Sequence, residues 1–350
     1  MAYTTIDNPL DYFNIVLYTG NTNAQSITGV GFQPDWVWIK KRSSLANHHL
    51  YDSVRGVQKR INSNTTNTEA TATTNLTAFG SDGFTIGTDN DINENNETYA
   101  SWNWKAGTSF TNDASSTGIG TIDSTGSASD TAGFSIVSYT GTGSAGTVKH
   151  GLSSAPSIVL IKNRSASGKS WIMAHKSIGF GNALFLNLTD GSTSEGSAFN
   201  STAPTSSVFT VGNTSLVNDS GDNYIAYCFA DIQGYSKVSG SYIGTGNADG
   251  PFIYTGFKPA FVLCKNTGNG GAQWLMVDNK RVGINPIQHY VQSNASTAEG
   301  SDTANYDFLS NGFKCRSTNS WNNQSGYNII YMAFAENPFV TSGGVPATAR

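Results

Sequence analysis

The feature that most constrains this 350-residue chain is a set of landmarks that returns three times at nearly fixed spacing. A Tyr-x-Gly triplet (Tyr18-Thr19-Gly20, Tyr139-Thr140-Gly141, Tyr242-Ile243-Gly244) is followed 16, 17 and 17 residues later by Pro34, Pro156 and Pro259. Each proline opens an apolar run that closes six residues on at a lysine: Lys40, Lys162 and Lys265. Phe84, Phe209 and Phe313 follow the prolines by 50, 53 and 54 residues, and an aromatic falls 20, 20 and 21 residues further on, at Trp104, Phe229 and Phe334. Four landmarks kept in step predict three copies of a unit of about 100 residues, long enough to bury about two-thirds of its surface and fold alone. The boundaries read as repeat one at 1–107, a Gly/Ser/Thr-rich linker at 108–132, repeat two at 133–234, and repeat three with a C-terminal tail at 235–350.

Helical periodicity is scarce, and short runs rich in Val, Ile, Phe, Tyr, Trp and Thr recur between Gly, Asn, Asp and Ser clusters, which predicts an all-β fold. Proline suits the first position of a strand, because it cannot donate to a ladder. The run after it is apolar at consecutive positions, as in Ile158-Val159-Leu160-Ile161, so both faces of that strand need cover. About six strands per unit predict a small β-sandwich of jelly-roll or lectin-like type. The linker is expected to hold at most one edge strand, near 119–122, and the tail at 341–350 to be loose unless a neighbouring subunit holds it.

Only 13% of residues are charged, against about a quarter in ordinary proteins, and the formal net charge is -4. Such a surface offers no electrostatic footprint for nucleic acid or anionic membrane. The opening Met1-Ala2-Tyr3-Thr4-Thr5 lacks the basic and apolar tandem of a signal peptide, and no run of about 18 apolar residues occurs, so membrane insertion is not expected. Cys228, Cys264 and Cys315 are too few and too scattered for a disulfide or metal framework and read as buried small hydrophobes. Trp36, Trp38, Trp102, Trp104, Trp171 and Trp274 fall on expected strands and read as core.

Several patterns imitate chemistry. Gly141-Thr142-Gly143-Ser144-Ala145-Gly146 matches the dinucleotide G-x-G-x-x-G motif, but no helix follows to face a pyrophosphate, so it reads as a turn. His48, His49 and Asp52 could form a metal or general-base site. Counted from the prolines, however, Asp52 corresponds to His175 and Asp278, an exchange that a fixed ligand set or pKa would not tolerate. The run from Asp89 to Glu97 lacks the glycine and glutamate of a calcium loop, with Glu94 and Ala100 in those places, although an irregular oxygen-rich site stays open. That loop and its counterparts in the other units supply the candidate ligand-binding residues: Asp89, Asp91, Asn93 and Asn96; Asn218, Asp219 and Asp222; Trp321, Asn322 and Asn323. Planar amides and carboxylates beside an aromatic ring suit sugar hydroxyls and the apolar face of a pyranose, and turn formation explains the same residues. No nucleophile, base and oxyanion arrangement is legible, and neither a cofactor nor a metal is expected.

The opening 1–7, the run Thr28-Gly29-Val30-Gly31-Phe32-Gln33-Pro34-Asp35-Trp36-Val37-Trp38-Ile39-Lys40, then Asp52-Ser53-Val54-Arg55-Gly56, Ser81-Asp82-Gly83-Phe84 and Trp102-Asn103-Trp104-Lys105-Ala106-Gly107 together resemble a repeated domain of unknown function in virion proteins of marine bacteriophages. Gly133-Phe134-Ser135-Ile136-Val137 and Tyr331-Met332-Ala333-Phe334-Ala335-Glu336 look like later units of the same architecture, the third having drifted most. The resemblance implies a non-enzymatic virion structural protein, a tail-fibre or surface-appendage component made in the host cytoplasm and placed on the virion surface. Its expected partners are other virion proteins, further copies of itself, and a host surface glycan or envelope protein met by multivalent weak contacts. A capsid decoration or appendage-building subunit without receptor binding is the alternative, and a polysaccharide depolymerase the third.

Overall fold

A computed structural model describes residues 3–281 and 283–348, so Met1 and Ala2 of the opening motif and the last two residues of the tail lie outside it. With 44% strand and 4% helix, the protein is all-β and β-sandwich-like. Its frame is three sets of four antiparallel strands with one shared order. In the first set Phe13–Thr19, Thr98–Trp104, Trp36–Lys41 and His49–Asp52 lie side by side. Phe134–Thr140, Asn223–Phe229, Ile158–Asn163 and Ile172–His175 repeat that order, as do Ser236–Ile243, Asn328–Pro338, Phe257–Asn266 and Leu275–Asp278. The second and third sets each extend into an eight-stranded sheet.

The proline-led strands are buried along their whole length, as their continuous apolar runs require. What covers their two faces differs. Val37 and Ile39, Val159 and Ile161, and Val262 and Cys264 point into three separate peripheral cores, one for each set. Trp36 and Trp38, Ile158 and Leu160, and Phe261 and Leu263 point the other way into one core built by all three sets. The closing aromatics of the sequence pattern meet there: the rings of Trp104 and Phe334 lie 5.7 Å apart and those of Phe229 and Phe334 6.1 Å apart. Phe13 stacks on Phe334 at 5.0 Å, and Trp36 on Tyr227 at 4.5 Å. All six tryptophans named above are at most 2% exposed, four within strands and Trp171 and Trp274 one residue before theirs.

Residues 108–132, expected as a linker, instead carry two full strands, Thr108–Asn112 and Ser124–Ser129, at the edge of the second sheet. Ser and Thr tolerate a pleated edge, and the Asp113-capped turn Ala114–Thr117 reverses the chain between them. The expected edge strand at 119–122 is reduced to one bridge, Ile122 to Val148. The tail is also held more firmly than expected. Val340 bridges Pro346, and Ser342 donates its amide and hydroxyl to the Asp7 carboxylate. Tyr3 Oη donates to Gly256 O at 2.7 Å, so the two chain ends are pinned on the third set.

Candidate functional site: peripheral loops and inter-set seams

Each Tyr-x-Gly triplet ends a strand at the tip away from the common core and clamps the loop that carried the ligand-binding expectation. The tyrosine donates to the same loop position in each set: Tyr18 Oη to Ile92 O at 2.9 Å, Tyr139 Oη to Val217 O at 2.7 Å, Tyr242 Oη to Asn322 O at 2.6 Å. The glycine packs against the loop backbone. A Cβ there would lie 2.1 to 2.2 Å from Glu94 O, Asp219 O or Gln324 O, closer than any real contact, which explains why only glycine stands at Gly20, Gly141 and Gly244.

The next loop residue, Asn93, Asn218 or Asn323, is fully buried. Asn93 Nδ2 donates to Asn23 O and Gly87 O while its Oδ1 accepts from the Asn21 amide. Asn218 does the same with Ser144 O, Gly212 O and the Thr142 amide, and Asn323 with Asn247 O, Ser317 O and the Thr245 amide. The expectation that these three asparagines touch a ligand is therefore corrected. Their amides are spent on backbone that would otherwise be unpaired, and no polar face is left for a sugar. Asn322 is buried as well, with neither side-chain polar atom partnered, so it also offers nothing to solvent.

The remaining candidates stay at the surface but do not converge. Asp89 caps the turn Asn90–Asn93 by accepting from the Asp91 amide. Asp91 lies 3.5 Å from His49 Nε2 and 3.8 Å from Arg60, and hydrogen bonding to His49 holds its carboxyl below the usual range. Asn96 is exposed in a left-handed conformation, φ 64°, that asparagine tolerates. Asp219 is exposed, and Asp222 accepts from Asn163 Nδ2 at 2.8 Å. Trp321 is half-buried, edge-on to Tyr290 at 5.8 Å. Among the described residues no group of three or more His, Cys, Asp and Glu is placed to hold a metal ion.

His48 and Asp52 belong to the seams between sets. Trp38 Nε1 donates to His48 Nδ1 at 2.8 Å, which leaves the proton on Nε2 for Gln292 O of the third set, 2.9 Å away. Trp171 Nε1 to Asn62 O and Trp274 Nε1 to Phe185 O are the corresponding bonds at the other two seams. Asp52 accepts from Arg55 Nε at 2.5 Å and from Tyr227 Oη of the second set at 2.7 Å. Asp278 likewise accepts from Arg281 Nε at 2.7 Å and from Trp102 Nε1 of the first set at 3.1 Å. His175, burial holding its imidazole down to about 4, stands in that place at the seam between the second and third sets, where Ser177 Oγ donates to Ser239 O. Charged pairs Glu69 with Arg164 and Glu299 with Arg42 cross the first two seams, whereas the third is crossed by neutral bonds, among them those from the Ser192 amide to Thr267 O and from the Gly271 amide to Thr189 O.

The repeat lysines were the signal whose meaning sequence reasoning missed. Lys40, Lys162 and Lys265 are fully buried, and their ammonium groups donate only to backbone carbonyls: Lys41 and Ser296, Asn163 and Lys169, Thr189 and Ala272. Desolvation lowers each to about 8. Lys40 and Lys265 bind a carbonyl of a neighbouring set, so these two tie seams. Burial likewise pushes the thiols of Cys228 and Cys264 up to about 12 and that of Cys315 to about 11, the behaviour of inert core groups.

A protein-family model described as Domain of unknown function (DUF7483) matches residues 8–338 as one span. No curated protein and no solved structure matches the chain.

Proposed function

The chain belongs to that family, and from this premise we propose that it is a non-enzymatic virion structural protein of a bacteriophage, a tail-fibre or surface-appendage component built of three tandem β-sandwich repeats that contacts the host by weak, multivalent attachment. The observation that carries the reading is the threefold recurrence of one clamped loop, held by tyrosine, glycine and buried asparagine at the tip of each strand set. Each tip ends a strand of seven or eight residues, about 20 to 25 Å long, whose earlier residues, among them Phe13, Phe134 and Val238, enter the common core, so the loops lie at the far ends of the three strands. Sites that are individually millimolar gain about 10² to 10⁴ in avidity when one particle presents many of them. Other virion proteins and further copies of the chain are the partners this role needs.

Burial of the asparagine amides favours a second reading, an appendage-building or decorating subunit whose loops bind no receptor. Host-cell binding by the protein displayed in many copies on beads separates the two. Attachment predicts saturable binding that falls at least about tenfold when Asn96→Gly, Asp219→Ala and Trp321→Ala are combined, in a variant that still unfolds cooperatively. No binding by the multimerised wild-type protein sinks attachment and leaves the building-block reading. Gold-labelled antibody on whole particles then places the protein on projecting filaments or over the head lattice.

A further inference from the structure

The three peripheral sandwiches are not equally covered. In each, one short strand places a buried residue opposite the repeat phenylalanine: Ile27 pairs with Phe84, Val148 with Phe209 and Ile253 with Phe313. The residues on either side of it face outward. They are Ser26 and Thr28 in the first set and Thr147 and Lys149 in the second, but Phe252 and Tyr254 in the third, 48% and 56% exposed. Across the ladder, Thr85 and Thr210 are replaced by Lys314. The fold is satisfied by small hydroxyls or a lysine at these positions, so two exposed rings serve no packing need of the third set. Tyr254 Oη is fixed by Tyr3 Oη at 3.2 Å, which holds its ring in place.

The same face continues along the strand. Lys314 lies 2.5 Å from Asp249, and Arg316 lies 3.9 Å from Asp249 and 3.5 Å from Asp307. Arg316 then lines a cleft of about 360 Å³ together with Asp302, Thr303 and Asn319. Asp302 Oδ2, a buried atom, has no hydrogen-bond partner there. From Tyr254, opposite Gly312, to Arg316 the track is about 14 Å long, the span of two to three sugar rings.

We propose that this face of the third set, from the Phe252 and Tyr254 rings to the Asp302 cleft, binds a neutral oligosaccharide. Rings cover the apolar faces of pyranoses, while carboxylate and guanidinium groups hydrogen-bond their hydroxyls. Lys314 and Arg316 are already paired with Asp249 and Asp307, and an acidic sugar entering the cleft would meet the unpartnered Asp302 carboxylate, so charge selects against anionic glycans. The binding chemistry stands on this face alone; only its biological role rests on the attachment reading.

The test is saturation-transfer NMR on the full-length chain with cellotriose, maltotriose and chitotriose, and sialyllactose as the acidic probe. At least one neutral trisaccharide is expected to bind. Phe252→Ala with Tyr254→Ala weakens it at least about tenfold, Asp302→Asn weakens it less, and Ser26→Ala with Thr28→Ala leaves it unchanged. The unfolding midpoint of each variant reports whether a loss is local. The proposal is overturned if none of the three binds, if sialyllactose binds better, or if the ring variants bind as wild type does. Bead-displayed protein that binds the trisaccharide but not host cells keeps this face and removes attachment.

Discussion

The three repeat lysines give the clearest residue-scale consequence. An unfolded lysine titrates near 10.5, whereas Lys40, Lys162 and Lys265 titrate near 8 in the folded protein because burial disfavours their charge and outweighs the partial offset that Asp190 gives Lys265. Between pH 8 and 10.5 the unfolded chain therefore holds more protons, and stability rises with pH by up to about 1.4 kcal/mol per pH unit for each lysine. Buried tyrosines act the other way above pH 10: Tyr18, Tyr139, Tyr227 and Tyr306 are pushed well above their ordinary value of 10, so the unfolded chain releases protons that the folded one retains. Histidines held below 6.5 by burial, among them His48 and His175, take stability away as pH falls under that value. Chemical unfolding at a series of pH values should find the maximum near pH 9 to 10. Lys162→Met should remove about a third of the rise between pH 8 and 10, and a flat profile across that window would contradict the burial argument. The lysines were legible as a repeat but not as a device, since a lysine closing a strand ordinarily reads as a solvated end.

At the scale of elements, the seams decide what holds the strand sets together. Asp52 is fully buried and serves Arg55 and Tyr227 at once, joining a turn of the first set to a central strand of the second. Tyr227→Phe removes one hydrogen bond to a charged acceptor and should cost about 1.5–3 kcal/mol; Asp52→Ala leaves a buried guanidinium without its closest partner and should cost about 3–5 kcal/mol. Because both act on one network, the double variant should cost less than the sum, and additive losses in a double-mutant cycle would show that the seam bond contributes nothing. The sequence pointed to this position but misassigned its meaning. Exchange of Asp52 for His175 and Asp278 along the repeat argued against one fixed chemistry, and the structure supplies the reason: Asp52 answers to Tyr227 and Asp278 to Trp102, each a donor on a neighbouring set, whereas His175 accepts from the Ser177 amide of its own set.

For the whole molecule, the shared core sets the folding behaviour. If the segment 133–234 stood alone, Phe134, Ile158, Leu160, Tyr227 and Phe229 would face water, at about 1.5–3 kcal/mol for each large side chain uncovered. We therefore expect one cooperative urea transition for the full chain, with Trp171 and Trp274 fluorescence and backbone circular dichroism coincident, and no cooperative transition for the 133–234 fragment. Three separable transitions, or a fragment that unfolds with a native-like slope, would overturn this. The resemblance and the spacing alone suggested units that fold separately. They could not distinguish this arrangement, because the apolar face that would close a free-standing sandwich and the face that joins a common core have the same composition.

The amino-acid pattern by itself determined the all-β class, the buried proline-led strands, the core tryptophans and the place of the clamped loops. Each follows from local physics: alternation, consecutive apolar positions, the missing donor of proline and the missing Cβ of glycine. Only the tertiary structure decided that the second face of each strand set is covered by the other two, that residues 108–132 pair as sheet edge, and that Asn93, Asn218 and Asn323 are staples rather than ligand contacts. An asparagine has the same identity whether its amide meets solvent or two carbonyls, and which of these it meets is fixed in part by backbone that approaches from about 70 residues away in sequence.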